Sequence, residues 1–250
     1  MDLSQFLILP CLLVVMVASL LIARYAQEMQ EQNVVRLYRL TALDRRRAAT
    51  RNVIRALLDL DDNPELLRIL YQSLQSDLQK IQLLDPSRAD LESDLRQVQA
   101  SLGSLTEVDR ASAEQLELRR QRLEQRTGLS SEREIQITRA YISEAMSIIR
   151  RLYQFRQVRG DQLESVARYL GTLSLTVAVN SNLQMGELAL RDGDKIKALS
   201  NFQRAESLVV RGPYIGRERS EKLAVIEARK EKLLAQSRSE QGLLLLASAD

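Results

Sequence analysis

The chain has 250 residues, 45% hydrophobic, 4% aromatic and 28% charged, with a formal charge of +3, one cysteine and neither histidine nor tryptophan. That composition excludes an intramolecular disulfide, a cysteine cluster for zinc, and any catalysis or metal site built on imidazole. Few aromatics, nine glycines and an abundance of Gln, Arg, Leu, Glu and Ala point to elongated helices more than to a thick globular core, so the predicted fold class is all-α.

The first predicted element is the stretch Phe6 to Ala23, eighteen residues without a charge. As a helix it is about 27 Å long, close to the hydrocarbon thickness of a bilayer. It is read as a single transmembrane anchor, with Phe6, Leu7, Ile8, Leu12, Leu13, Val14, Val15, Val17, Leu20, Leu21 and Ile22 as the anchoring side chains and residues 1–23 as outside tail plus span. Pro10 falls in the first turn or two, where the missing N–H breaks little helical bonding. A cleaved signal peptide fits less well, because the opening MDLSQ carries an acid and no Lys or Arg, and Leu21-Ile22-Ala23 lacks the small residue expected three before a cleavage point. Pro10 also makes Cys11 a poor lipid-attachment site.

Positive charge follows the run, and the N-terminal side offers only the α-amino group and Asp2, so the rule that retains basic flanks inside puts the N-terminus outside and the bulk in the cytoplasm. Heavy use of Arg over Lys suggests a bacterial inner membrane. Arg24, Arg36, Arg39, Arg45, Arg46 and Arg47 are candidates for contact with anionic head groups, each worth about 1 kcal/mol if close enough. An upright helix would lift Arg45 about 30 Å beyond the boundary, which favours the alternative of a solvated basic face. No aromatic platform or reading motif accompanies these arginines, so nucleic-acid binding is not expected.

Residues 24–60 contain no Gly or Pro and carry apolar residues at helical spacing, predicting a juxtamembrane stalk helix continuous with the span. Asp61-Asp62-Asn63-Pro64 stops it and opens the next helix with proline at its first position. Residues 64–127 then read as an antiparallel coiled-coil hairpin. Leu67, Leu70, Leu74, Asp77, Ile81 and Leu84 form one seam, and Leu91, Leu95, Val98, Leu102 and Leu105 form its partner across Asp85-Pro86-Ser87. The seam weakens at Asp109, Ser112 and Arg119.

A third region, 131–238, reads as a helical domain. Ser131 and Glu134 make a capping box, and the helix they open has a broad apolar face that includes Tyr141, Ile142, Ile149, Tyr153 and Phe155. Arg159-Gly160-Asp161 breaks it, with Asp161 and Glu164 as a further cap. Over residues 172–179 the pattern alternates as in a strand, yet helix is favoured because no partner strand is visible elsewhere.

In Asn182 to Leu208 the small or packing positions Gly186, Ala189, Ala198 and Ala205, the turn Gly193-Asp194 and the large Phe202 fall at spacings of twelve, four and three from Gly186 onward. On these residues the segment, about 179–212, resembles a single tetratricopeptide repeat, which implies a helical hairpin and a groove for a peptide or partner protein. Asn182, where the family often has tryptophan, and Val210, where it often has proline, depart from the pattern, and only one good copy is present. An ordinary helical hairpin shares the same packing rule. A charged helix with the stripe Leu223, Ile226, Leu233 and Leu234 follows, then a tail over 239–250.

No phosphate-cradling loop, metal-spaced ligand set or activated nucleophile is present, so neither enzyme activity nor a cofactor is expected. The function read from the sequence is a single-span, membrane-anchored helical scaffold or adaptor. It would recruit or organise proteins, a neighbouring membrane protein among them, as a homo-oligomer or as part of a larger complex. The alternative is a periplasmic coiled-coil plus tetratricopeptide-like envelope factor of inverted topology.

Overall fold

A computed structural model describes residues 3–61, 63–108, 122, 123 and 126–247, with side chains left out for 3–15, 17, 18, 106–108 and 236–247. Among the described residues the protein is all-helical, with seven helices and no strand. These are α1 (Leu3–Leu60), α2 (Pro64–Leu84), α3 (Asp90–Val108), α4 (Glu132–Gln154), α5 (Gly160–Arg191), α6 (Lys195–Arg211) and α7 (Arg217–Ala247). Among the described residues no helix is long and apolar enough to cross a membrane. Most side chains of the predicted anchor, Phe6 through Val15 and Val17, lie outside the described residues. The weak seam positions Asp109, Ser112 and Arg119 lie outside them as well.

Local chemistry sets the helix ends. Asn63 caps α2 by accepting a hydrogen bond from the Leu66 N–H at 3.0 Å, with Pro64 at the first helical position. Ser131 and Glu134 form the predicted capping box on α4. The start of α5 differs from the expected Asp161/Glu164 cap. The helix begins two residues earlier, where the Gln162 side chain accepts from the Arg159 N–H at 3.2 Å and Asp161 pairs with the Arg159 guanidinium.

Two apolar cores result. In the first, α2 packs against α1, α3 and α4, and α4 also packs on α1 and α5. Its buried residues include Val53, Leu57, Leu70, Leu78, Ile81, Leu91, Ile149 and Val177. The C-terminal part of the stalk helix is thus a layer of this core, while Tyr25, Val34, Leu37 and Tyr38 further up α1 are exposed. The second core joins α5, α6 and α7 through Val179, Ala198, Phe202, Val209, Tyr214 and Ile226.

Helix α5 belongs to both cores, and that accounts for the strand-like alternation in its sequence. Leu173 and Val177 enter the first core, whereas Leu175 and Val179 pack in the second. A helix buried on two sides needs apolar residues on more than one face, so its pattern loses the 3.6-residue period and comes to resemble alternation. The helix runs without interruption from Gly160 to Arg191.

Candidate functional site

The α5–α6 hairpin brings together the repeat-like positions. Gly186, Ala189, Ala198, Phe202 and Ala205 are all buried at the α5–α6 contact or beside it. A Cβ on Gly186 would stand 2.7 Å from Phe202 Cδ1, so the ring fills the space that the missing side chain leaves. Gly193 sits at φ 80 after α5, where its N–H and that of Asp194 bond back to Leu190 and Ala189 at 3.2 and 2.8 Å. Asp194 then caps α6 by accepting from the Lys197 N–H at 2.9 Å. The two turn residues close one helix and open the next.

A groove of 560 Å³ lies between α5 and α7, with Asn180, Leu183 and Gln184 on one wall and Glu221, Lys222 and Val225 on the other. Glu187 and Arg229 join the walls at 3.1 Å. The connection before α4 docks on α5 beside the groove. There Ser181 Oγ donates to the Thr127 carbonyl at 3.0 Å and accepts from the Leu129 N–H at 3.1 Å, and Asn180 Nδ2 donates to Thr127 Oγ1 at 2.7 Å. Tyr214 is buried at the end of α6, with its hydroxyl 3.2 Å from Thr176 Oγ1, and burial raises its pKa. The Lys222 ammonium stands 5.2 Å from the centre of that ring.

On α4, Ile142 and Ile149 are buried and Tyr141 is half-buried against the first core, so these three serve packing. Tyr153 and Phe155 point outward, 47% and 67% exposed. They remain available for contact, unlike the rest of the predicted face.

The basic residues of α1 divide by face. Leu20, Leu21 and Ile22 of the anchor set are exposed, and Arg24 pairs with Glu28 at 3.4 Å. Arg36 Nε donates to the Leu84 carbonyl at 2.7 Å, which ties the stalk to the end of α2, and Arg39, Arg45 and Arg46 are exposed. Arg47 corrects the lipid-surface grouping. Its side chain is only 13% exposed and pairs with Asp94, itself 14% exposed, and with Asp90 at 3.2 Å. Arg51 reaches Asp94 at 2.7 Å and Arg88 reaches Asp44 at 2.8 Å, so the region clamps α1 to the α2–α3 turn. Hydrogen bonds from Arg88 hold the Asp90 carboxyl below its ordinary pKa.

The seam acid Asp77 is buried, and among the described residues its Oδ2 has no hydrogen-bond partner. Burial pushes its pKa up, partly offset by the charges of Lys80, Arg151 and Arg46. Among the described residues no group of three or more potential ligands is arranged to hold a metal ion. No protein-family model matches the chain, and no curated protein or solved structure is significantly similar to it.

The ion-pair clamp between α1 and the α2–α3 turn was not among the sites expected from the sequence. The clamp had a faint signal in the Arg45-Arg46-Arg47 run opposite Asp90 and Asp94. Which α1 face meets α3 depends on packing, so the pairing was not legible.

Proposed function

We propose that the protein is a membrane-anchored helical scaffold that recruits partner proteins through its α4–α7 region. The carrying observation is that the uncharged run Phe6–Ala23 occupies the N-terminal part of the same unbroken helix whose C-terminal part, Leu43 to Leu60, lies in the first core. An anchor and a folded body on one helix keep a set distance and angle between them. Exposure of Leu20, Leu21 and Ile22, at 62%, 63% and 69%, supports the same reading, because water is a poor environment for three adjacent large apolar side chains. The body lies on the cytoplasmic side in this proposal, following the basic flank.

Recruitment rests on the Gly186–Phe202 hairpin, which resembles a tetratricopeptide repeat, and on the adjoining groove with α7. Such a surface suits a peptide or helix of a partner. Unpaired apolar side chains on the upper stalk, including Tyr25, Val34 and Tyr38, support assembly into an oligomer or larger complex.

The test is alkaline extraction and flotation of the full chain and of a form starting at Arg24, together with crosslinking in the native membrane. The full chain should float with membranes, the shortened form should not, and crosslinks should map to α4–α7. Release of the full chain by alkali sinks the anchor. A reporter after Asp250 that is active only when exported would place the body in the periplasm and overturn the cytoplasmic assignment.

A further inference from the structure

The helix arginines of this protein commonly take a glutamate four residues away. Arg24, Arg96, Arg168 and Arg217 are paired in this manner with Glu28, Glu92, Glu164 and Glu221. Arg139, Arg150 and Arg151 on α4 break the habit, since no Asp or Glu lies three or four residues from any of them on either side. All three line one open groove of 700 Å³ between α4 and α5, and among the described residues no carboxylate lines it. Arg139 and Arg150 have no ion-pair partner among the described residues, while the Arg151 charge also acts on buried Asp77.

The groove is not simply a charged surface. Ile142 and Leu170, 5% and 1% exposed, line it together with half-buried Met146. Gly171 keeps the α5 wall low, and a Cβ there would meet nothing within 4 Å. From Arg139 to Gln154 the α4 wall runs about 22 Å, the length of a helix of about fifteen residues.

We propose that the α4–α5 groove binds an acidic amphipathic peptide segment of a partner protein. Its carboxylates would bond Arg139, Arg150 and Arg151, and its apolar side chains would rest on half-buried Met146 above the groove floor of Ile142 and Leu170. Guanidinium groups suit carboxylates because the planar fork can donate two parallel hydrogen bonds. A single-stranded nucleic acid would want an aromatic stacking platform, and among the described residues no aromatic lines the groove. A bilayer surface cannot follow a concavity between two helices. This inference rests on the reading that the body recruits protein, and it assigns the chemistry of one recruited segment.

The experiment uses the full chain in detergent micelles and a fluorescein-labelled fifteen-residue helical peptide of Glu and Leu, read by anisotropy. Binding should weaken as salt rises, and each of Arg139→Ala and Arg150→Ala should weaken it about tenfold. The same peptide with Gln for Glu should not bind. Gly171→Leu leaves every charge in place and should also abolish binding by filling the groove. Circular dichroism confirms that the variants fold. Equal binding to the Arg139→Ala/Arg150→Ala double variant overturns the proposal. So does a wild-type chain that ignores the peptide but binds phosphatidylglycerol vesicles or a single-stranded DNA through the same arginines. If the double variant loses the peptide yet its native crosslinked partners are unchanged, recruitment stands and the groove's part in it falls. If the wild type binds the peptide but has no native crosslinked partner, the recruiting function itself falls.

Discussion

Gly186 on α5 and Phe202 on α6 are packed so closely that the ring occupies the place of a glycine side chain, 2.7 Å from where a Cβ would stand to Cδ1. Phe202 is 1% exposed, so its ring is enclosed by packed neighbours. Gly186→Ala should therefore destabilise the protein by about 1–3 kcal/mol through overpacking. Gly171, also inside α5, has open space around it, and Gly171→Ala should stabilise by about 0.5–1 kcal/mol. Urea unfolding midpoints of the two variants should move in opposite directions. A shared direction would contradict the packing.

Arg47 and Asp94 form a largely covered pair between α1 and α3. Arg47→Ala leaves Asp94 with Arg51 alone and should cost about 2–4 kcal/mol, far more than Arg45→Ala on the exposed face. Thermal melts of the two variants check this. Similar small shifts for both would show that the clamp contributes little.

Asp77 gives a pH dependence of definite sign. Burial holds its pKa above the ordinary carboxylate value, so folding favours the protonated form, and the stability it supplies is present at low pH and lost as pH rises through its raised pKa. Asp90 works oppositely. Its pKa is depressed by Arg88, and its contribution is present above the ordinary carboxylate value and lost as pH falls. Asp77→Leu should then stabilise by about 1–3 kcal/mol at pH 7, and the gain should shrink on acidification below the Asp77 pKa. Unfolding curves at several pH values measure it. A gain independent of pH would show that the Asp77 carboxyl has the same pKa in the folded and unfolded chain and would contradict the upward shift.

Arg156 stands in the left-handed region at φ 57, after α4, where its N–H bonds to the Tyr153 carbonyl at 2.9 Å and that of Gln157 to Leu152 at 2.9 Å. Gly193 fills the equivalent place after α5 with the residue such a turn prefers. Arg156→Gly should relieve the Cβ crowding and stabilise by about 0.5–1 kcal/mol. Arg156→Ala should give no such gain, and denaturant midpoints of the pair decide it.

Much of the helix framework was legible from residues close together in the chain. Pro64 with Asn63, the Ser131/Glu134 box and the Gly193-Asp194 turn act through contacts of a few residues, and they appear at their predicted places. The small-to-large match of Gly186 with Phe202 was also readable, because the hairpin holding them is local. By itself, the sequence determined an all-helical chain with an uncharged N-terminal run and no histidine chemistry. Tertiary structure alone decided the rest. Arg47 turned inward because α2 and α3 cover that side of α1, residues 172–179 stayed helical because α5 serves two cores at once, and Arg139, Arg150 and Arg151 share a groove because α5 folds back along α4. A residue's own helix sets only which direction it can point, and the neighbour it meets there comes from chain tens of residues away.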